Sequence, residues 1–189
     1  MNLGESNMEN KILVTYTSRT GWTVGVAEAI GKTLAESGAQ VDVLAMRDVK
    51  DLSAYDAVVA GSGINGAAWR PEAVQWVREH QAELKRKPFE AFFVCMTLAT
   101  LAPGASAGVK NGEQYRGNVS AWLDPVCALV RPVSKGLFAG GLDIRKVPTF
   151  KDRLGFRMSV LFGVWKEGDH RDWNAIRKWA LELKPLLSA

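Results

Sequence analysis

With 189 residues, 47% of them hydrophobic, the chain is large enough for one domain with a substantial core. Charged residues make up an ordinary 23%, the net charge is a mild +4, and no apolar run nears the ~20 residues that a membrane span requires. The 2 cysteines, Cys95 and Cys127, are too few and too far apart for a disulfide framework, which fits a reducing, cytoplasmic setting.

Residues 1–10 are polar, carry two acids, and read as a disordered lead-in rather than a signal peptide. A single domain is expected over residues 11–189. Lys11–Tyr16 is an apolar first strand. It runs into the hydroxyl-rich loop Thr17–Thr23, and Trp22–Glu36 follows with helical apolar spacing that Ser37 and Gly38 stop. Gln40–Ala45 is a second strand. Ala57–Ala60 is a short third strand, wholly apolar as befits coverage on both faces. Pro71 suits the first turn of the next helix, whose inner face is Val74, Val77 and Leu84. Ala91–Met96 is a fourth strand, with Cys95 a buried thiol inside it. Thr97–Gly117 is a long Gly-, Ala- and Ser-rich loop, Ser120–Val130 a helix, Gly136–Gly141 a fifth strand, and Trp173–Leu187 a closing amphipathic helix. Strands separated by helices of this length predict a parallel sheet with right-handed crossovers in a three-layer α/β sandwich.

Three loops leave strand carboxyl ends, where such sheets bind ligands: Thr17–Thr23, Gly61–Trp69 and Thr97–Gly108. In the first, unpaired N–H groups at a helix start, the helix dipole, the hydroxyls of Ser18, Thr20 and Thr23, and Gly21 together make a cup for a phosphate.

The run Ser18-Arg19-Thr20-Gly21-Trp22-Thr23, after a first strand and opening the first helix, resembles the flavodoxin phosphate loop, T/S-x-T-G-x-T. The layout agrees over about residues 11–187. More narrowly, Ala60-Gly61-Ser62-Gly63-Ile64, its spacing to Pro71–His80, and the aromatic-basic stretch after the fifth strand resemble one flavodoxin-domain subfamily. That subfamily includes menaquinone-dependent protoporphyrinogen dehydrogenase. The resemblance implies a flavodoxin-like sandwich with five parallel strands in the order 2-1-3-4-5, and non-covalent FMN. Ser18, Thr20, Gly21 and Thr23 would hold the phosphate, with Arg19 and Trp22 at variable positions of the motif. Ser62, Gly63, Ile64, Asn65 and Gly66, and Thr97, Leu98, Ala99 and Thr100, would flank the isoalloxazine ring. Gly63 and Gly66 could free a carbonyl to turn toward the reduced N5–H. Trp69 would either stack on the flavin or pack against the following helix.

Other chemistries are excluded. Gly61–Gly66 also reads G-x-G-x-x-G, but it follows the third strand, and the acid about 20 positions on, Glu83, sits mid-helix. Thr15 and Tyr16 stand where a receiver domain needs acids. His80 and His170 are isolated, so no metal site is expected.

Arg145–Trp165 interrupts the pattern within a basic-aromatic insertion near 143–172. It carries Arg145, Lys146, Lys151, Arg153 and Arg157 against the single acid Asp152. If helical, it puts Leu154, Met158, Leu161, Phe162 and Trp165 on one face. Such a face packs on its own core or on a second subunit of a homodimer. Alternatively it serves as an interfacial helix or a lid over a quinone or porphyrin, with the chain peripheral to the inner face of the membrane. Nucleic acid is not an expected partner, since the cations form no long run with interleaved aromatics. The function expected is an FMN-dependent oxidoreductase acting between an apolar or aromatic substrate, such as a porphyrinogen, and a quinone-type redox partner. The alternative is a flavodoxin electron carrier without substrate chemistry of its own. Carriers of that family tend to be acidic, whereas this chain is basic.

Overall fold

The computed structural model describes residues 10–101 and 118–187. In chain order the strands are β1 (Lys11–Thr17), β2 (Gln40–Ala45), β3 (Ala57–Asn65), β4 (Ala68–Trp69), β5 (Phe89–Cys95), β6 (Lys135–Ala139), β7 (Gly141–Leu142) and β8 (Gly168–Asp169). The helices are α1 (Trp22–Glu36), α2 (Pro71–Glu79), α3 (Gln81–Leu84), α4 (Asp124–Cys127), α5 (Phe150–Leu161) and α6 (Trp173–Leu187), with short 3-10 turns between them. The expected lead-in (1–9) and most of the expected long loop (102–117) lie outside the described residues.

The sheet is parallel in the order β2-β1-β3-β5-β6, the order expected once the added hairpin strand β4 is numbered. Alternation along the strands separates two cores. Ile12, Val14, Val59 and Phe92 point to the side covered by α1 and α6, where Val26, Ile30, Ile176 and Leu183 meet them. Leu13, Val58 and Phe93 point to the other side, against Trp76, Val77, Leu84, Leu123 and Val126. Both layers are fully buried, as a parallel sheet requires.

Four expected boundaries are corrected. The third strand does not stop at Ala60 but runs to Asn65. Ser62 and Gly63 are paired with Thr17 of β1 and Val94 of β5, and Ile64 and Asn65 with the returning strand β4. The inner face of α2 is Ala73, Trp76 and Val77, and Leu84 belongs to the separate turn α3. The helix expected over Ser120–Val130 is broken into a 3-10 turn, Ala121–Leu123, and α4, because Pro125 is tolerated only at a helix start. The fifth strand ends at Ala139, and Gly141–Leu142 turns away to pair with Gly168–Asp169. No helix among the described residues is long and apolar enough to cross a membrane.

One charge-bearing residue lies inside the sheet. Glu90 of β5 is fully buried opposite Val59. One carboxylate oxygen accepts from the Ser134 N–H, while Oε1 has no partner among the described residues. Burial pushes its pKa from 4.5 up to about 7. Between these values the unfolded chain releases a proton that the folded chain keeps, so stability falls as pH rises through that window. Glu90→Gln should remove this loss, worth at most about 3 kcal/mol, and raise the melting temperature at pH 8. Thermal melts from pH 4 to 8 with the same slope in both proteins would contradict it.

Candidate functional site

The strand carboxyl ends converge on a cavity of about 470 Å³. Its walls come from the loop after β1, the start of α1, the β3–β4 turn, the end of β5, the β7 region and α5. It sits where the strand order reverses between β1 and β3, the position where open α/β sheets bind ligands. The volume lies within the ~300–1,000 Å³ usual for small-molecule sites.

At one end stands the N-terminus of α1. Gly21, at φ 88, caps it without a side-chain acceptor, and the first turn carries no acid. Unpaired donors and the helix dipole therefore face outward with no acid in the helix's own first turn. Thr20 and Thr23 line the cavity there, and Thr23, 3% exposed, is held by the core beneath. A Cβ on Gly63 would lie 3.4 Å from Thr23 Oγ1, so β3 and α1 are in close contact at this wall. Arg19 lines the same end, and its Nη2 lies 3.4 Å from Asp152 Oδ2 on α5. Four aromatic side chains, Trp22, Trp122, Phe156 and Trp165, line the cavity, together with Val94, Met96, Leu142 and Val147. Trp22 is pressed against Gly141, where a Cβ would meet its ring at 2.6 Å. Arg171 lies 4.8 Å and Lys146 5.2 Å above that ring.

Of the residues expected at the site, Arg19, Thr20, Trp22, Thr23, Gly63, Ile64, Asn65, Gly66 and Thr97 line this cavity. Ser18 and Gly21 instead line a second groove of about 850 Å³, whose charged side chains are of both signs, Arg47 and Lys50 with Glu72, Glu79 and Glu83. Ser18 Oγ accepts from the Gly21 N–H at 3.0 Å, shaping the loop from within. Ser62, Trp69 and Leu98 are not brought to the wall. Ser62 is fully buried, with Oγ donating to the Gly63 carbonyl at 2.7 Å and accepting from the Arg70 N–H at 3.2 Å. Trp69 is 2% exposed within the core, the packing role of the two that the sequence allows. Leu98 is buried in the same core, and Ala99 and Thr100 belong to the 3-10 turn after β5, where Thr100 Oγ1 donates to the Thr97 carbonyl.

The sequence reading missed Trp122, Arg70 and Gly140–Asp143. Nothing in the local pattern marks Trp122, which reaches the cavity from a 3-10 turn. Phe156 and Trp165 fall in the basic-aromatic segment, but periodicity alone does not say which side of it faces the cavity. Among the described residues no group of three His, Cys, Asp or Glu could hold a metal. Burial pushes the Cys95 thiol up to about 11, so it is protonated and unreactive at neutral pH.

The family profile described as Flavodoxin domain matches residues 13–161. The chain belongs to the flavodoxin-domain family. It is 27% identical over 184 residues to "Protoporphyrinogen IX dehydrogenase [quinone]" of Leishmania major, covering 93% of this chain and 75% of that protein. It is 24% identical over 187 residues to the protein of that name from Escherichia coli K12, covering 93% and 96%. Among solved structures it is similar to an archaeal flavodoxin, with TM-score 0.51 and 17% identity over 95% of this chain and 99% of that one. A flavodoxin from Streptococcus pneumonia TIGR4 gives TM-score 0.54 and 15% identity over 93% and 98%. These structures establish the fold.

FMN is the cofactor of the flavodoxin-domain family, and the cavity fits it. The uncapped helix start and its threonines suit a phosphate, and the aromatic walls suit a flat ring system.

The β3–β4 turn bordering the cavity is strained. Ile64 pairs with Trp69 and Asn65 with Ala68, leaving Gly66 and Ala67 as a two-residue hairpin loop, each at φ 59. Such loops need positive φ at both positions, which glycine adopts freely and alanine does not. Ala67→Gly should therefore stabilise the protein by about 1 kcal/mol, or roughly 2–4 °C in melting temperature for a domain of this size. A lower melting temperature would contradict the left-handed backbone at Ala67.

Proposed function

We propose that this flavodoxin-domain protein is an FMN-dependent oxidoreductase that moves electrons or hydride from an apolar or aromatic substrate, a porphyrinogen by analogy with its relatives, to a quinone. One observation carries the reading: a single cavity joins an uncapped, acid-free helix start to a wall of Trp122, Phe156 and Trp165. The first part suits the FMN phosphate. The second suits the ring and a flat partner beside it.

Thr20 and Thr23 would donate hydroxyl hydrogen bonds to the phosphate, with N–H groups of the α1 start beside them. Arg19 would add positive charge, exchanging its exposed contact with Asp152 for a stronger anion. Gly63–Gly66 and Thr97 would border the ring. Bound FMN supplies the electron and hydride chemistry, and no side-chain acid–base pair is needed. What the chain contributes is position and the apolar and aromatic surface that lines the cavity.

The charge pattern favours an enzyme over a carrier. An electron carrier that docks by electrostatic complementarity presents a strongly charged, usually acidic rim around its flavin. Here the net charge is +4, and the carboxylates beside the cavity, Asp143 and Asp152, are paired with Arg145 and Arg19. The proposed quinone acceptor is lipid-dissolved, and segment 145–165 is where we propose that the chain meets its membrane.

The first test is a visible absorption spectrum of the purified protein, repeated after FMN addition and gel filtration. Flavin bands that stay with the protein support the cofactor, and their absence removes the reading. Thr20→Ala or Thr23→Val should then weaken FMN about tenfold or more, as loss of a hydrogen bond to a charged group does. Riboflavin affinity should be nearly unchanged. Equal losses for both ligands would exclude the phosphate role.

A further inference from the structure

Helix α5 has two apolar faces. Phe156 and Val160 turn inward and pack against Leu142, Ile144 and Val147. The other face is bare. Among the described residues, nine large hydrophobic side chains are exposed, and six of these fall between Phe150 and Val164, while Leu44, Val133 and Leu181 are scattered singly. Phe150 is 78% exposed, Leu161 75% and Phe162 73%. Single exposed apolar residues are ordinary on a soluble protein, but a contiguous set is not.

The bare face is ordered by helical geometry. At ~100° per residue, Phe150, Leu154, Met158 and Leu161 share a stripe of about 80°. Arg153 and Arg157 flank it on one side and Lys151 on the other, all exposed. The only acid on the helix, Asp152, lies on the opposite side and meets Arg19. Phe162 and Val164 extend the apolar surface past the helix end.

We propose that this face of α5 is a docking surface for an anionic lipid leaflet. The apolar stripe would enter the acyl boundary, and Lys151 and Arg157 on its two sides would meet the headgroups. Charge complementarity selects this occupant. On the helix, every charged group flanking the stripe is a cation, and the acids across the neighbouring groove are already engaged, Asp143 with Arg145, Asp169 with Arg171 and Glu167 with the Ile144 N–H, so two-fold pairing of the stripe with a second copy would bring the helix cations together. A lid over substrate is ruled out by direction, since the stripe lies on the far side of the helix from the cavity. The surface stands on the helix alone. Its use rests on the functional reading above: α5 would be the element shared by the leaflet and the cavity, which Asp152 and Phe156 line from the opposite side of the helix.

The test is co-sedimentation of the full chain, loaded with FMN, with phosphatidylcholine vesicles with and without phosphatidylglycerol, at low and high salt. Leu154→Glu with Leu161→Glu is compared, and Lys151→Gln with Arg157→Gln serves as a second variant should the first fail to fold. Binding should be at least about tenfold stronger to the anionic vesicles at low salt. It should fall at least as far in either variant, with melting temperature and flavin retention unchanged. No vesicle binding, or equal binding by wild type and variants, overturns the proposal. A dimer in sedimentation velocity that the glutamates dissolve, without vesicle binding, assigns the face to a second copy and overturns it too. Flavin retention and reduction of a water-soluble quinone are measured without vesicles. Their failure with vesicle binding intact removes the oxidoreductase reading and leaves the surface, and the converse result removes only the surface.

Discussion

The hydrogen-bonding of β1 on both edges, to β2 and to β3, is the constraint from which the site follows. The chain leaves β1 to one side, builds β2, and then returns to the other side for β3. The loops after β1 and β3 therefore diverge at the top of the sheet, and the gap between them is the mouth of the cavity. Because β1 is buried on both faces, its end cannot shift without breaking two ladders and two cores. The helix start that follows is thus fixed relative to Gly63–Ala67 and to the end of β5. A binding site for a phosphate and a flat ring needs that kind of fixed frame.

The outer helix obeys a different balance. Helix α5 is not held by a large buried face. It is capped by its own Thr149, whose side chain accepts from the Asp152 N–H, and tied down by Phe156, Val160, the Arg153 Nε–H donated to the Val147 carbonyl, and the contact between Arg19 and Asp152. Exposed ion pairs of this kind contribute between nothing and about 1 kcal/mol. The sheet therefore supplies the rigid half of the site and α5 the lightly attached half.

Most of this was legible in the sequence because local pattern and global fold agree. Trp22–Glu36, Gln40–Ala45 and Trp173–Leu187 fall where periodicity puts them. The turn from β1 into α1 at Gly21 was legible because it depends on residue types at fixed short spacing. What was lost depends on partners distant in sequence. Gly61–Asn65 looks like a loop by composition, yet it is strand because β1, β5 and β4 all supply hydrogen-bond partners. Ser62 and Leu98 were read as neighbours of a ligand, and the structure buries both; for Ser62, alternation along a strand cannot be counted from a boundary set five residues early. Leu154, Leu161 and Trp165 were placed on one face, left open between a core, a second subunit, an interface and a lid; the distant neighbours Leu142, Ile144 and Val147 take Phe156, Val160 and Trp165 and leave Leu154 and Leu161 exposed. The Pro125 break was readable from the residue alone.

The aromatic wall also makes the molecule report on itself. Of the 7 tryptophans, Trp22, Trp122 and Trp165 border the cavity, while Trp69 and Trp76 lie in the core. Indole emission overlaps the near-ultraviolet absorption of an isoalloxazine, and energy transfer between them is efficient at contact distances. A flavin seated there would darken those three indoles at once. The intrinsic fluorescence of the chain is therefore a built-in gauge of cofactor occupancy, readable without a label and during a titration.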